Sequence, residues 1–273
     1  MTDILLSLDD DRSLMMIKNW ENEKVVAGMT TRHGGVSEPP YHSLNVGFHV
    51  GDRYEHVLTN RQLVAEKLQF PIQRWVLGEQ THGNRVFKVE MEDIGKGALS
   101  LDSAVKDVDG LYTKEKGILL AALFADCVPL YFFARKHHLI GIAHAGWKGT
   151  VNNIAGRMVE VWKKEGIEPG DIEVIIGPSI NQCCYEVDER VISEVRKLSL
   201  NDRQIFRQHQ QGKYMLNLKL ANKLLLMRFG VHETNIIESS TCTSCSNSTF
   251  FSHRKERGKT GRMMAFIGLR QPG

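Results

Sequence analysis

Residues 117–146 read GILLAALFADCVPLYFFARKHHLIGIAHAG, and apolar residues fill most of this stretch. Three runs, 117–124, 129–134 and 139–146, each have the length and composition of a strand that is buried on both faces. The polar RKHH between the second and third runs has the length of a hairpin turn. The stretch therefore predicts a sheet core built from short strands, with polar residues placed where the strands end.

The segments on either side mix further strands with amphipathic helices. Strands are predicted at 24–32, in two pieces within 75–89, at 172–180 and at 262–269. Helices are predicted at 54–69, from a Thr150 cap to the GIEPGD segment, at 188–198 and at 217–229. Short strands in hairpin runs mixed with helices are typical of an α+β fold. We expect a single layered domain over residues 1–273, in which mixed or antiparallel sheets are flanked by helices.

The composition is that of an ordinary globular protein, with 25% charged and 42% hydrophobic residues in a chain of 273. A net charge of +3 is too small to indicate a nucleic-acid partner. No apolar run approaches the roughly 20 residues of a membrane span, and the acid-flanked N-terminus does not resemble an export signal. The 5 cysteines, an odd number without such a signal, favour reduced thiols. We therefore expect a cytoplasmic monomer with neither a membrane nor a nucleic-acid partner.

Three side chains with affinity for metals lie where apolar runs end. His82 lies in the polar bend within 75–89, Cys127 follows the first central run and His144 comes near the end of the third. Two imidazoles and a thiol suit Zn²⁺, with a fourth position left to water in a catalytic site. Taken singly, each has a simpler interpretation as a hydrogen-bonded histidine or a small buried thiol. Spacing alone does not join the three.

The other cysteines are CTSC at 242–245 and the adjacent Cys183 and Cys184. A zinc ribbon needs two C-x-x-C pairs, and the sequence has one, so we expect these cysteines to be structural or incidental. The sequence also lacks the signatures of Rossmann and P-loop nucleotide sites, of zinc nucleobase deaminases and of H-E-x-x-H metalloproteases. None of the 11 histidines forms an H-x-H pair, so a conventional multicopper oxidase would lack its ligands here.

Seven motifs carry a resemblance to a known family. They are MTTRHGGVSEPPYHSLNVGFHVGD, GEQTHGNRV, DVDGLYT, FADCVPLYF, AHAGWKGT, GPSINQCCYEVD and FFSHRKERGKTGRMMAFIGL, and they run from about residue 28 to residue 269. In this order they resemble the bacterial laccase-domain family, also called the YlmD/YfiH-like family. Its members were first called multicopper polyphenol oxidases and later purine nucleoside phosphorylases.

The resemblance implies a zinc site made by the His of QTHG, the Cys of ADC and the His of HAGWKG, which are His82, Cys127 and His144 here. It implies purine nucleosides and phosphate as substrates: adenosine, inosine and methylthioadenosine would give ribose 1-phosphate and the free base. Deamination of adenosine is implied as a side activity. Copper, from the older polyphenol oxidase assignment, is the alternative metal, although the missing H-x-H pairs argue against it.

Several polar residues in these motifs are expected to act on the substrate. The expected catalytic residues are Asp126, Lys148 and Arg32, and the expected substrate- and phosphate-binding residues are Arg254, Arg262 and Gln80. The four cationic side chains among them are candidates for charge-assisted hydrogen bonds to phosphate oxygens. The basic segment departs from the usual family pattern at Lys255 and Glu256, which receive no role.

Two further functions stay open at the level of the sequence. Cys127 could act as a nucleophile with His144 or His82 as its base, which describes a deamidase-like cysteine hydrolase. The other is a protein that binds a partner without catalysis, although polar residues clustered at strand ends favour an enzyme. Because the same three residues serve the zinc site and the hydrolase, metal content is what distinguishes the zinc enzyme from the cysteine hydrolase.

Overall fold

The computed structural model describes residues 5–8, 11–200 and 202–271, so the N-terminal stretch in which no export signal is expected lies partly outside the described residues. The strands are β1 (Leu5–Leu8), β2 (Asp11–Ile17), β3 (Val25–Thr30), β4 (Trp75–Leu77), β5 (Val86–Lys88), β6 (Gly110–Thr113), β7 (Leu119–Phe124), β8 (Val128–Ala134), β9 (Leu139–Ala145), β10 (Glu173–Ile176), β11 (Glu186–Asp188), β12 (Phe206–Gln210), β13 (Lys213–Leu216), β14 (Ile236–Glu238) and β15 (Met263–Leu269). The helices are α1 (Tyr54–Leu68), α2 (Trp147–Val151), α3 (Ile154–Lys164), α4 (Glu189–Lys197), α5 (Asp202–Ile205) and α6 (Leu218–Arg228). In this described part of the chain, no helix combines the length and the apolar character that a membrane span requires.

Two six-stranded sheets form the centre of the fold. The first has the strand order β1-β2-β3-β15-β7-β4 and the second the order β14-β10-β8-β9-β6-β5, while β11, β13 and β12 make a smaller antiparallel sheet. Most neighbouring strands are antiparallel, but β4 pairs with β7, β5 with β6 and β10 with β14 in parallel. The predicted α+β class, with mixed sheets and flanking helices, is confirmed.

The two large sheets pack face to face, and helices cover their outer faces. Side chains from both sheets, including Met29 of β3, Phe124 of β7 and Ile142 of β9, form one core between the sheets. Val64 and other residues of α1 pack on the outer face of the first sheet, and Met158 and other residues of α3 and α6 pack on that of the second. The result is four layers in the order helix, sheet, sheet, helix.

This layering explains why the central strands are apolar throughout. Successive side chains of a strand point to opposite faces. In β7, Leu120 and Ala122 face the core between the sheets, whereas Leu119 and Ala121 face α1. A strand covered on both sides therefore needs an apolar residue at nearly every position, as the sequence of 117–134 indicates.

The chain crosses from the first sheet to the second between β7 and β8. Only residues 125–127 connect these two strands. β8 then pairs with β9 in a register that sets Pro129 opposite His144. The start of β8 and the end of β9 therefore lie side by side, and Asp126, Cys127 and His144 come to one edge of the sandwich.

The segment after β9 differs from the sequence expectation of a helix capped by Thr150. Helix α2 begins at Trp147 with Gly146 as its N-cap, and Thr150 is buried within it. The true cap of α3 is Asn153, whose side chain accepts a hydrogen bond from the Gly156 amide. Asn153 has φ 63°, a left-handed conformation that asparagine tolerates and that ends one helix before the next begins.

The hydroxyl of Tyr131 provides a first test of the sheet packing. Tyr131 is fully buried in β8 and donates a 2.9 Å hydrogen bond to the carbonyl of Gly28 in the opposite sheet. We expect Tyr131→Phe to lower the free energy of unfolding by about 1 kcal/mol, because a buried hydrogen bond is lost without a change in side-chain shape. Urea unfolding should show a lower midpoint with an unchanged slope. The control is Tyr54→Phe, which removes an exposed hydrogen bond to Leu99; an equal loss in both variants would contradict the prediction.

Candidate functional site

A cavity of about 590 Å³ opens at the edge where the chain crosses between the sheets, and we call it the central cavity. Its lining comes from strand ends and from loops that are distant in sequence, and comprises His49, Gly78, Glu79, Gln80, His82, Leu101, Leu123, Ala125, Asp126, Cys127, His144, Trp147, Ile180, Tyr185, Leu218, His253, Arg254 and Arg262. This volume lies within the range of small-molecule sites. The lining combines apolar walls with a few convergent polar groups.

His82, Cys127 and His144 meet at the inner end of this cavity. Their ligand atoms all lie within 4.8 Å of one another, and the two imidazole rings are 4.8 Å apart between centroids. His144 is buried, Cys127 is half-buried and His82 is exposed. The structure thus brings together the three residues that the sequence left unconnected, and they form a group that could hold a metal ion.

Asp109 organises this group from behind. Its carboxylate accepts a 2.8 Å hydrogen bond from Nδ1 of His144, while the same imidazole also contacts the Cys127 thiol. The same carboxylate accepts hydrogen bonds from the backbone amides of Thr81, His82 and Gly83. One buried side chain therefore positions both histidines: it holds the ring of His144 directly and the loop of His82 through its backbone amide. A carboxylate bonded to the far side of an imidazole in this way is typical behind metal-binding histidines.

The sequence interpretation missed Asp109. Its signal was present in the motif DVDGLYT, which carried the resemblance without receiving a role. Asp109 directly precedes Gly110, the first residue of β6, and β6 pairs with β9, so that Gly110 lies opposite Ala143. Only this pairing sets Asp109 beside His144.

Charge interactions in the group favour a thiolate. Burial raises the pKa of Cys127, but the adjacent His144 and His82 outweigh it and lower that pKa to about 6. Burial lowers the pKa of His144, and the Cys127 thiolate and Asp109 reverse this and raise that pKa to about 9. The thiolate is the form of cysteine that binds metals. If a cation were bound, its positive charge would stabilise the Cys127 thiolate in place of the proton on His144.

The backbone approaches the group closely at Gly146. A Cβ atom at this position would lie 2.8 Å from Sγ of Cys127 and 3.0 Å from Cδ2 of His82. Glycine is therefore required where β9 passes into α2, because any other residue would displace the metal-binding side chains. This accounts for a glycine directly after the strand that carries His144.

Asp126 and Gln80 line the central cavity, as the sequence interpretation requires, and both are held by hydrogen bonds. Asp126 accepts from the Thr243 hydroxyl at 2.7 Å and from the backbone amide of Arg254 at 3.0 Å. Gln80 both donates to and accepts from the backbone of Leu123. These contacts fix the positions of both side chains beside the metal-binding group.

The four cationic candidates divide into two pairs. Arg254 and Arg262 line the central cavity, and neither forms an ion pair with a carboxylate in the described part of the chain. Arg32 and Lys148 are not among the residues that line it. Arg32 instead pairs with Glu256 at 3.1 Å, and Lys148 is exposed on α2 with Nζ 5.8 Å from the Trp147 ring centroid.

His49 also lines the central cavity, and the sequence interpretation did not single it out. Burial and the positive charges of Arg262 and Arg61 lower its pKa to about 4. The ring is therefore neutral at neutral pH. His49 lies in the short turn Phe48–Val50, where the sequence shows no apolar periodicity, so no sequence pattern pointed to it.

The donor set fits Zn²⁺. Zinc binds imidazole nitrogen and thiolate sulfur, and catalytic zinc sites have three protein ligands and one open position. Here two imidazoles and one thiolate converge, a carboxylate orients one of them from behind, and their other side faces the central cavity. The fold therefore combines a sandwich of two packed sheets with a candidate metal site at one edge of that sandwich.

Comparisons with known proteins identify the class. A family model described as multi-copper polyphenol oxidoreductase laccase matches residues 26–270, and the chain belongs to this laccase-like family. A purine nucleoside phosphorylase YlmD of Geobacillus stearothermophilus is 52% identical over 248 residues, covering 90% of each chain. A protein of the same name from Bacillus subtilis is 47% identical over 265 residues, covering 95% of each. The crystal structure of YlmD from Geobacillus stearothermophilus matches with a TM-score of 0.94 at 48% identity, over 99% of this chain and 100% of that one.

The role of Asp109 can be tested by Asp109→Asn. We expect the affinity for Zn²⁺ to fall by about 10–100-fold, because the histidine loses the carboxylate that fixes its ring and tautomer. Competition with a chromophoric chelator measures this. The matched control is Asp107→Asn, since Asp107 bonds to the hydroxyl of Thr81 at 2.5 Å in the same loop. Equal affinities in Asp109→Asn and the unaltered protein would show that Asp109 does not support the metal site.

Proposed function

We propose that the protein is a zinc-dependent purine nucleoside phosphorylase. It would convert adenosine, inosine and methylthioadenosine with phosphate into ribose 1-phosphate and the free base, and deaminate adenosine as a side activity. The observation that carries this is one cavity lined both by a His-Cys-His group and by two arginines that form no ion pair with a carboxylate of the described residues. The names of the two relatives agree with the reaction.

His82, Cys127 and His144 would hold the metal, and Asp109 would orient His144. Zn²⁺ in such a donor set acts as a Lewis acid. The protein's own contribution is to keep Cys127 ionised and to hold the ring of His144 in place. Gly146 leaves the space in which the three side chains meet.

Arg262 and Arg254 would bind the phosphate. Arg262 is half-buried, and burial lowers its pKa more than the nearby Cys127 and Asp126 raise it. A phosphate oxygen would add the direct ion pair that its guanidinium lacks among the described residues. Arg254 is stacked on Tyr185, 5.1 Å from the ring centroid, and donates to the Glu186 carbonyl, so its guanidinium is already oriented.

The apolar walls suit the nucleoside. Tyr185, Trp147 and Ile180 line the central cavity and offer aromatic and aliphatic surface for a purine. In phosphorolysis a phosphate oxygen bonds to C1′ of the ribose while the bond from C1′ to the base breaks, and the electron pair leaves with the base. The proton of the phosphate monoanion ends on the base, so the reaction balances without another reactant.

Asp126 and Gln80 would position the substrate. Both Asp126 oxygens accept hydrogen bonds from the protein, which favours orientation of Arg254 over proton transfer as its role. Arg32 and Lys148 are proposed to act from outside the cavity lining: Arg32 through Glu256, and Lys148 by adding positive potential near α2. We further propose a cytoplasmic monomer formed by one domain, without nucleic-acid or membrane partners.

A cysteine hydrolase is a second candidate, because of one specific observation. His144 lies between Cys127 and Asp109, which is the order of nucleophile, base and orienting carboxylate in a catalytic triad. The lowered pKa of Cys127 also suits a nucleophile. A copper-dependent polyphenol oxidase is the third, since copper accepts the same ligands.

The phosphate requirement tests the proposed reaction. Purified protein with inosine should release hypoxanthine only when phosphate is present. In Arg262→Gln, the apparent phosphate affinity should fall by roughly tenfold to a hundredfold, since a hydrogen bond to a charged group contributes about 1.5–3 kcal/mol. Lys255→Gln, which alters an exposed lysine in the same basic segment, is the control. Base release that is equally fast without phosphate would make the enzyme a hydrolase.

Substitution of Cys127 separates the metal ligand from the nucleophile. Cys127→Asp keeps an anionic ligand without a thiol, so we expect weaker zinc binding with part of the activity retained. In Cys127→Ala, activity should fall by more than the roughly 10–100-fold that is typical when a residue behind the metal ligands is changed. Elemental analysis identifies zinc or copper in each protein. A covalent substrate adduct on Cys127, trapped during turnover and seen by mass spectrometry, would establish the hydrolase instead.

A further inference from the structure

The four cysteines outside the central cavity form a second group. Cys183, Cys184, Cys242 and Cys245 have all of their sulfur atoms within 4.8 Å of one another. Sγ of Cys245 lies 3.6 Å from that of Cys183 and 3.4 Å from that of Cys184, and Cys183 and Cys184 are 3.7 Å apart. We call this group the cysteine cluster. The sequence has no second C-x-x-C pair, but the structure sets the adjacent Cys183 and Cys184 of another loop beside the CTSC pair.

These separations are those of a metal site. A disulfide requires sulfur atoms about 2.05 Å apart, and all four thiols are free. In a tetrahedral site with Zn–S bonds of about 2.3 Å, neighbouring sulfur atoms are about 3.8 Å apart, close to the separations in the cluster.

The backbone of both loops supports the cluster. The amide of Asn181 donates to Sγ of Cys242 at 3.4 Å, a contact that stabilises a thiolate. Ser179 and Cys242 form a parallel bridge, in which the Thr243 amide donates to the Ser179 carbonyl. The loop at 181–185 and the loop at 241–246 are thus fixed against each other before any ion binds, as a preorganised site requires.

We propose that the cysteine cluster is a structural zinc site with four thiolate ligands. Four sulfur ligands leave no open position, which is the property of structural rather than catalytic zinc sites. Two of the ligands, Cys183 and Cys245, are exposed, so the ion can enter from solvent. The site is independent of the proposed phosphorylase reaction and of the ligands in the central cavity.

The cysteine cluster also stabilises one wall of the central cavity. Thr243, between Cys242 and Cys245, donates its hydroxyl to Asp126. The carbonyl of Cys184 accepts from the guanidinium of Arg254, and Tyr185 follows directly in the chain. Zinc in the cluster therefore fixes the loops that hold Asp126 and Arg254 in place, although it touches neither the substrate nor the first metal.

Metal analysis of the purified protein, reconstituted with Zn²⁺ alone, tests the proposal. The unaltered protein should hold about two zinc ions per chain, one for each group of ligands. Cys184→Ser and Cys127→Ser should each hold about one. In Cys127→Ser, the remaining zinc should show a shell of sulfur alone at about 2.3 Å by X-ray absorption. In Cys184→Ser the remaining zinc should show a mixed nitrogen and sulfur shell.

Thiol reactivity in the unaltered protein decides the matter even if a variant fails to fold. Exposed Cys183 and Cys245 should resist a thiol reagent in the zinc-loaded protein and react after a chelator is added. Immediate reaction of both in the loaded protein would overturn the proposal. So would a single zinc per chain with nitrogen in its shell, or an intact mass that reveals disulfides. None of these readouts uses catalytic activity, so failure of the phosphorylase proposal would leave the result unaffected.

Discussion

The structure depends on the packing of two sheets against each other, between which the chain crosses once in its most apolar segment, from β7 to β8. β7 lies in one sheet, between β15 and the edge strand β4, and β8 lies near the middle of the other sheet; three residues connect them. Burial of both faces of these strands supplies the main hydrophobic stabilisation of the sandwich. It also leaves the crossing residues at an edge that no layer covers. The polar chemistry of the protein collects there because polar side chains are tolerated where the apolar layers end.

Within that edge, Asp109 sets the electrostatics. A buried carboxylate is costly unless it is hydrogen-bonded, and Asp109 accepts bonds from three backbone amides and from His144. Burial raises its pKa, but the bond and charge of His144 lead the contributions that lower that pKa overall. Its charge in turn favours a protonated or metal-bound His144, and His144 favours the Cys127 thiolate. The loop of His82, the end of β9 and the start of β8 are coupled through this one carboxylate.

The two groups of candidate metal ligands differ in number, kind and access. The His-Cys-His group has three ligands and faces a cavity, so a substrate can reach it. The cysteine cluster has four ligands of one kind and lies in loops behind the cavity wall. Thr243 connects them, because its hydroxyl donates to Asp126 while the residue before it, Cys242, belongs to the cysteine cluster. Rigid support behind a reactive site limits the movement of the residues that must meet the substrate.

The sequence by itself predicted the buried central strands and the fold class, because burial of both strand faces leaves a local pattern. It placed His82, Cys127 and His144 where apolar runs end, but their spacing did not join them. It also carried the family resemblance through motifs in a set order. The tertiary structure alone decided that β7 and β8 separate into two sheets, that Asp109 stands behind His144 and that the two pairs of cysteines meet. It also decided that Arg254 and Arg262 line the cavity while Arg32 and Lys148 do not. These pairings join residues dozens of positions apart, and periodicity reports only which face of an element is buried, not which distant element packs against it.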